Sequence, residues 1–193
     1  MVSNIEVAKA ILYYSGTNGK PLSKLALMKL VYYCQGYYLG AFNKPMFQEP
    51  ICAWKLGPVC PNLYQEYPTG DAYIAPPPND TFFSELSLSV IDVVKFVVDK
   101  FTDITPYQLV AKTHTESPWL NHVNPTDNKW DNKEITHDEL QAFFQDEIKN
   151  MYDQQFAKIL DRVDQQAKTI ELPATVKGKD AFKAWIFEQA QVL

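Results

Sequence analysis

The sequence predicts a mainly α fold: a single helical domain with a short extended or β element near residues 47–60 and a C-terminal helical extension. Three observations carry this. Apolar residues recur at helical spacing along most of the chain. Capping residues stand at the head of several of these stretches. The main interruption, Pro45 to Pro61, holds four prolines and one glycine, which excludes a regular helix there. With 193 residues the chain suits a helical domain over 1–150 and an extension over 151–193.

Ile5, Ala8, Ile11 and Leu12 mark a first helix, with Asn4 as its cap and Gly16 as its stop. After the turn Thr17-Asn18-Gly19-Lys20-Pro21, Ser23 leads into a longer helix whose stripe is Leu25, Met28, Tyr32, Gln35 and Leu39, closed by Gly40 or Asn43. Ile51-Cys52-Ala53-Trp54 is short enough and β-prone enough for a strand or extended arm. Asn62 to Tyr67 makes a short helix stopped by Pro68-Thr69-Gly70, and Pro76-Pro77-Pro78 an extended loop. Val90, Val93, Val94, Val97 and Phe101 keep helical step, and the length of the stretch favours a helix despite its valines. Thr105-Pro106 is a cap followed by a first helical residue, opening a helix to about His114. Asn124 to Lys133 is polar and turn-rich. Thr136 with Glu139 three residues on then forms a capping box for a helix that runs through Leu140, Phe144 and Ile148, with a break near Asn150 and a continuation to Val163. Phe182, Trp185, Ile186 and Gln189 mark a last amphipathic helix.

Composition narrows the function classes. The apolar stretches fall far short of the ~20 residues of a membrane span, so no membrane role is expected. The N-terminus lacks the basic stretch of a signal peptide and nothing after it resembles a small-residue cleavage site, and three irregularly spaced cysteines suit reduced thiols; the expected compartment is the cytoplasm. Residues 1–60 carry six lysines against two acids, a balance of +4, which leaves −9 of the net −5 for the remainder. Only one arginine is present, Arg162, so direct nucleic-acid recognition is not expected.

No Cys-x-x-Cys or His-x-x-x-His pair is present to seed a zinc site, and the scattered glycines form no phosphate loop. No metal or cofactor is expected, and no catalytic residue is assigned. An enzyme would need Cys60 and His114 to meet as nucleophile and base, or Cys52, Cys60 and a histidine to hold a metal, and no local signature surrounds them. His114-Thr115-Glu116 is explained by caps and surface turns.

The strongest constellation is Lys29-Leu30-Val31-Tyr32-Tyr33, then Ala53-Trp54-Lys55-Leu56-Gly57-Pro58-Val59, then Pro118-Trp119. Gly57 can adopt a backbone conformation closed to other residues, Pro58 fixes the next φ, and Trp54 can wedge its indole against the tyrosine-rich helix. These residues make a packing corner in the first place.

The same pattern, Leu27 to Tyr32 followed by Ala53-Trp54-x-x-Gly57-Pro58-Val59 and Pro118-Trp119 before a capped helix, resembles the Panacea domain of the SocA-like antitoxin family, also found in phage-associated proteins. The resemblance covers roughly residues 1–150. It implies a helical scaffold, marked by Lys29, Tyr32, Trp54, Gly57, Pro58 and Trp119, that neutralises a cognate protein toxin by direct contact as the antitoxin of a type II toxin-antitoxin system. Alternatives that it leaves open are a proteolytic adaptor presenting the toxin to a protease, with a protease or chaperone as further partner, and a phage or mobile-element protein binding a host factor. Phe182, Trp185, Ile186 and Gln189 of the last helix are the candidate partner-binding residues, with packing on the domain's own core as the alternative that the sequence leaves open. Oligomeric state is left open.

Overall fold

The computed structural model describes residues 2–68, 72–101, 103–124, 126, 129, 131–151 and 156–161. The chain divides into two units, 1–159 and 160–193, and the fold described below is that of the first.

Helix α1, Asn4–Thr17, is opened by Ser3 rather than Asn4. Ser3 and Glu6 form a capping box: the Ser3 hydroxyl accepts from the Glu6 amide at 3.2 Å, and the Glu6 carboxylate accepts from the Ser3 amide at 2.7 Å. Asn4, expected as the cap, is buried instead, and its amide exchanges two hydrogen bonds with Asn62 at 2.8 and 3.0 Å. Gly16 does not stop the helix, which ends at Asn18.

Strand β1, Leu22–Ser23, leads directly into α2, Lys24–Phe42, capped by Ser23 and closed by Asn43 in the left-handed region at φ 54°. The stripe predicted for α2 is too narrow. Residues 26–39 are buried without interruption, because α2 is the central helix and is covered on all sides. The hairpin strands β2, Ile51–Trp54, and β3, Gly57–Val59, follow, then α3, Pro61–Glu66, and β4, Tyr73–Ile74. A 3-10 turn, Thr81–Glu85, precedes α4, Leu88–Phe101; α5, Pro106–Thr113; α6, Ser117–Leu120; β5, Glu134–Ile135; and α7, His137–Asn150. The break expected near Asn150 is present, and residues 156–161 are helical again. The architecture is mainly α, as predicted.

The strands serve as clips. β1 pairs with β4 antiparallel, and β2 lies between β3 and β5, also antiparallel, with Trp54 opposite Gly57 and Ile51 opposite Ile135. Gln35 on α2 ties down the approach to β2: its amide nitrogen donates to the Phe47 carbonyl at 2.9 Å, and its oxygen accepts from the Met46 and Phe47 amides.

The core is aromatic. Tyr33 stacks on Phe101 with centroids 4.2 Å apart, and Tyr37 meets Phe96 and Phe144 edge-on at 5.1 and 4.9 Å. Gly36 and Gly40 lie one turn apart on the face of α2 that receives α7. A methyl group at Gly36 would overlap the Phe144 ring, and one at Gly40 would come within 2.8 Å of Ile148 Cδ1. The two helices therefore approach as closely as hydrogen in place of a side chain allows.

Candidate functional site

Lys55 and Leu56 form the tip of the β2–β3 hairpin with negative φ, and Gly57 supplies the positive φ, 93°, that closes the turn. Glycine is required at 57 for a second reason. A Cβ there would lie 2.6 Å from Thr113 Oγ1 and 2.8 Å from Lys29 Nζ. Helices α2 and α5 thus press directly on the backbone of the turn.

Two side chains from the helices hold carbonyls of this turn. Lys29 Nζ donates to the Pro58 carbonyl at 3.0 Å. Trp119 Nε1 donates to the Trp54 carbonyl at 2.8 Å. The His114 ring stacks on Trp119 with centroids 3.8 Å apart and planes 8° from parallel; burial and the nearby Lys29 lower its pKa, with the Lys55 backbone opposing. A hairpin tip leaves such groups to water; here protein donors take them.

Lys29 is fully buried, and burial lowers its pKa from 10.5 to about 7, with the neighbouring Cys60 opposing weakly. Tyr32, one turn further along α2, faces a second buried polar group. Its hydroxyl donates to Glu116 at 2.8 Å, the Tyr33 hydroxyl donates to the other carboxylate oxygen at 2.9 Å, and Lys112 Nζ stands 3.1 Å away. Glu116 is only 3% exposed, and burial raises its pKa against the pull of Lys112 and the two tyrosines. Glu116 sits at the N-cap of α6, three residues before Trp119, so the two polar clusters share one short helix.

The structure brings together Lys29, Gly57, Pro58 and, through the backbone, Trp54 and Trp119; Tyr32 joins through Glu116. Trp54 does not wedge against the tyrosine-rich helix. It is half-buried and meets Tyr64 of α3 edge-on at 5.2 Å. Glu116, read from sequence as a cap or surface-turn residue, does stand at a helix N-cap but is buried rather than on the surface, and its carboxylate is an acceptor for Tyr32 and Tyr33; Thr113 presses on the turn and His114 stacks on Trp119. Two adjacent tyrosines in a helix buried on all sides were a signal for Glu116, since each hydroxyl needs a partner. Cys60 is buried and its thiol is pushed up to about 12, the opposite of nucleophile activation. Phe182, Trp185, Ile186 and Gln189 lie outside the described residues.

Residues 27–120 match the model of a family described as "Antitoxin SocA-like, Panacea domain". The resemblance to the Panacea domain read from the sequence thus holds over this segment. It contains every scaffold residue named from the sequence, Lys29, Tyr32, Trp54, Gly57, Pro58 and Trp119, together with Glu116 and His114. No curated protein and no solved structure matches the chain. Among the described residues, no helix is long and apolar enough to cross a membrane, and no three His, Cys, Asp or Glu side chains converge to hold a metal ion.

Proposed function

We propose that this chain is the antitoxin of a type II toxin-antitoxin pair, neutralising a cognate protein toxin by direct binding in the cytoplasm, without catalysis of its own. The observation that carries this reading is the match over residues 27–120 to a family described as antitoxin-like. The geometry supports it. Lys29 and Trp119 spend donors on the hairpin backbone, and Glu116 spends its acceptors on Tyr32 and Tyr33. These residues build a rigid scaffold, and recognition falls to exposed side chains. The cysteines Cys34, Cys52 and Cys60 are unbridged, which suits a reducing compartment.

The test is co-expression with the protein encoded beside this chain. Rescue of growth from that protein's toxicity, with the two co-purifying at fixed stoichiometry, is the expected result. A neighbour that is harmless alone, or toxicity that persists with no complex formed, overturns the proposal.

A further inference from the structure

Beyond the clamp that Lys29 and Trp119 close on the hairpin, a second polar device lies where the chain leaves α6. His122 follows the last residue of α6 by two positions, and its side chain is only 11% exposed. Its two ring nitrogens meet carboxylates from two different elements. Nδ1 is 3.0 Å from Asp131 Oδ1, in the loop that leads to β5. Nε2, itself buried, is 3.4 Å from Glu139 Oε1 in the first turn of α7. Lys133 Nζ stands 3.6 Å from the other Asp131 oxygen, and the Asn121 amide donates to Glu139 Oε1 at 3.4 Å. These complete the charged and polar side chains about His122 among the described residues.

A carboxylate on each nitrogen sets a requirement on the number of protons. Neutral imidazole donates from one nitrogen and presents a lone pair from the other, whereas imidazolium donates from both. Only imidazolium satisfies Asp131 and Glu139 together. The neutral ring keeps its one proton on Nδ1, where the contact is a hydrogen bond, and turns the Nε2 lone pair toward Glu139, where the contact is longer and lacks hydrogen-bond geometry. Both acids are held in place by other bonds. The second Glu139 oxygen accepts from the Thr136 amide and hydroxyl at 2.8 and 2.9 Å. Asp131 Oδ1 accepts from the Lys133 amide at 2.9 Å, and the Asp131 amide donates to the His122 carbonyl at 2.9 Å. Burial opposes ionisation of both acids, but the backbone amides of Lys133 and Thr136 and the neighbouring His122 hold them below their ordinary pKa values, so they stay charged while histidine titrates. The carboxylates are preset, and the ring proton is the variable part.

We propose that His122 is a proton-operated clip: with a proton on each nitrogen it fastens the head of α7 to the loop before β5, and on losing one it keeps Asp131 and lets go of Glu139. Its position gives the clip leverage. The Lys133 carbonyl accepts from the Ala53 amide at 2.9 Å, Ile135 pairs with Ile51, and α7 carries Phe144 and Ile148 onto the glycine face of α2. A change at His122 therefore bears on the seal of the aromatic core. The device lies just beyond the segment matched to the family, residues 27–120, and stands independently of the antitoxin reading.

Nitrogen-15 NMR of the histidine rings in the full chain, between about pH 5 and 8, reads the protons on His122 directly. Amide hydrogen exchange over the same range, corrected for the intrinsic rate, reads the head of α7 through Glu139 and Leu140, whose amides donate to the Thr136 hydroxyl and carbonyl. The expected spectrum has protons on both nitrogens at the acidic end and on Nδ1 alone at the alkaline end. Protection of the two amides should fall about threefold or more as the second proton leaves. His122→Gln should hold them near the alkaline wild-type level throughout. A neutral ring protonated on Nε2, wild-type protection that does not follow the ring's titration, or the same pH response in His122→Gln overturns the clip. The first two outcomes are read on the wild-type chain, so they decide the matter even if the variant fails to fold.

Discussion

Replacing Lys29 by methionine tests the physical basis of the clamp most directly. Lys29 is fully buried, its pKa falls from 10.5 to about 7, and the Pro58 carbonyl is its hydrogen-bond acceptor. Between those two values the unfolded chain holds a proton on Lys29 that the folded chain has released. Stability therefore rises with pH across this window, by about 1.4 kcal/mol per pH unit, and the dependence disappears below about pH 7, where both states are protonated. At pH 7.5 the fold bears a cost of about 4 kcal/mol for keeping the amine neutral; at pH 9.5 about 1.4 kcal/mol remains. Methionine fills nearly the same volume and removes that cost, but leaves the Pro58 carbonyl without its donor, a loss of about 1–3 kcal/mol. Lys29→Met should then be more stable than wild type by about 2 kcal/mol at pH 7.5 and about equal to it at pH 9.5. Urea denaturation at half-unit steps of pH measures both chains. Wild-type stability should climb with pH while that of the variant stays nearly flat. Parallel curves for the two chains would refute the reasoning, since they would show that Lys29 titrates alike in the folded and unfolded states.

Two further substitutions probe the packing around the same helix. Gly36→Ala gains about 1 kcal/mol of helix propensity but drives a methyl group into the Phe144 ring, so a net loss of about 1–2 kcal/mol is expected in the urea midpoint, with partial recovery when Phe144→Leu is added. Glu116→Leu strands the Tyr32 and Tyr33 hydroxyls and should cost about 3 kcal/mol or more by thermal or chemical melting. Glu116→Gln keeps an acceptor between them and, because the carboxyl is already held above its usual pKa by burial, should cost far less at neutral pH. Equal losses in the two Glu116 variants would contradict the buried-acceptor role.

The helices were legible because their starts are chemical and local. Ser23, Thr105 and Thr136 cap the helices that the sequence placed behind them, and Asn43 ends α2 at one of its two expected stops. Ser3 and Asn4 are both capping types; the decisive partner was Glu6, three residues from Ser3, whose carboxylate completes the box. The short strands were less legible. β1 and β4 pair two residues each across a separation of about fifty, and β5 reaches β2 from more than eighty residues away, distances over which periodicity carries no information. At the candidate site, the turn chemistry of Gly57 and Pro58 was readable from residue type. That Lys29 and Trp119 would converge on its carbonyls, with His114 stacked on Trp119, was not, because lysine and histidine more often face solvent and only the tertiary fold brings α2, α5 and α6 to one turn.

The close approach of α7 to α2 bears on what can exist as an independent piece. The segment shared with the Panacea family ends at residue 120, yet Phe144 and Ile148, which cover the glycine face of α2, come from beyond it, and Val7 and Ile11 of α1 come from before it. A peptide cut to residues 27–120 would expose the Gly36 and Gly40 face together with Tyr32, Tyr33 and Tyr37. It should behave as a sticky collapsed chain rather than as a domain. During synthesis, α2 leaves the ribosome more than a hundred residues ahead of the helix that seals it. The nascent protein thus carries an open aromatic seam until nearly the whole of the first unit has emerged, a period in which a chaperone or a partner could reach the seam before α7 does.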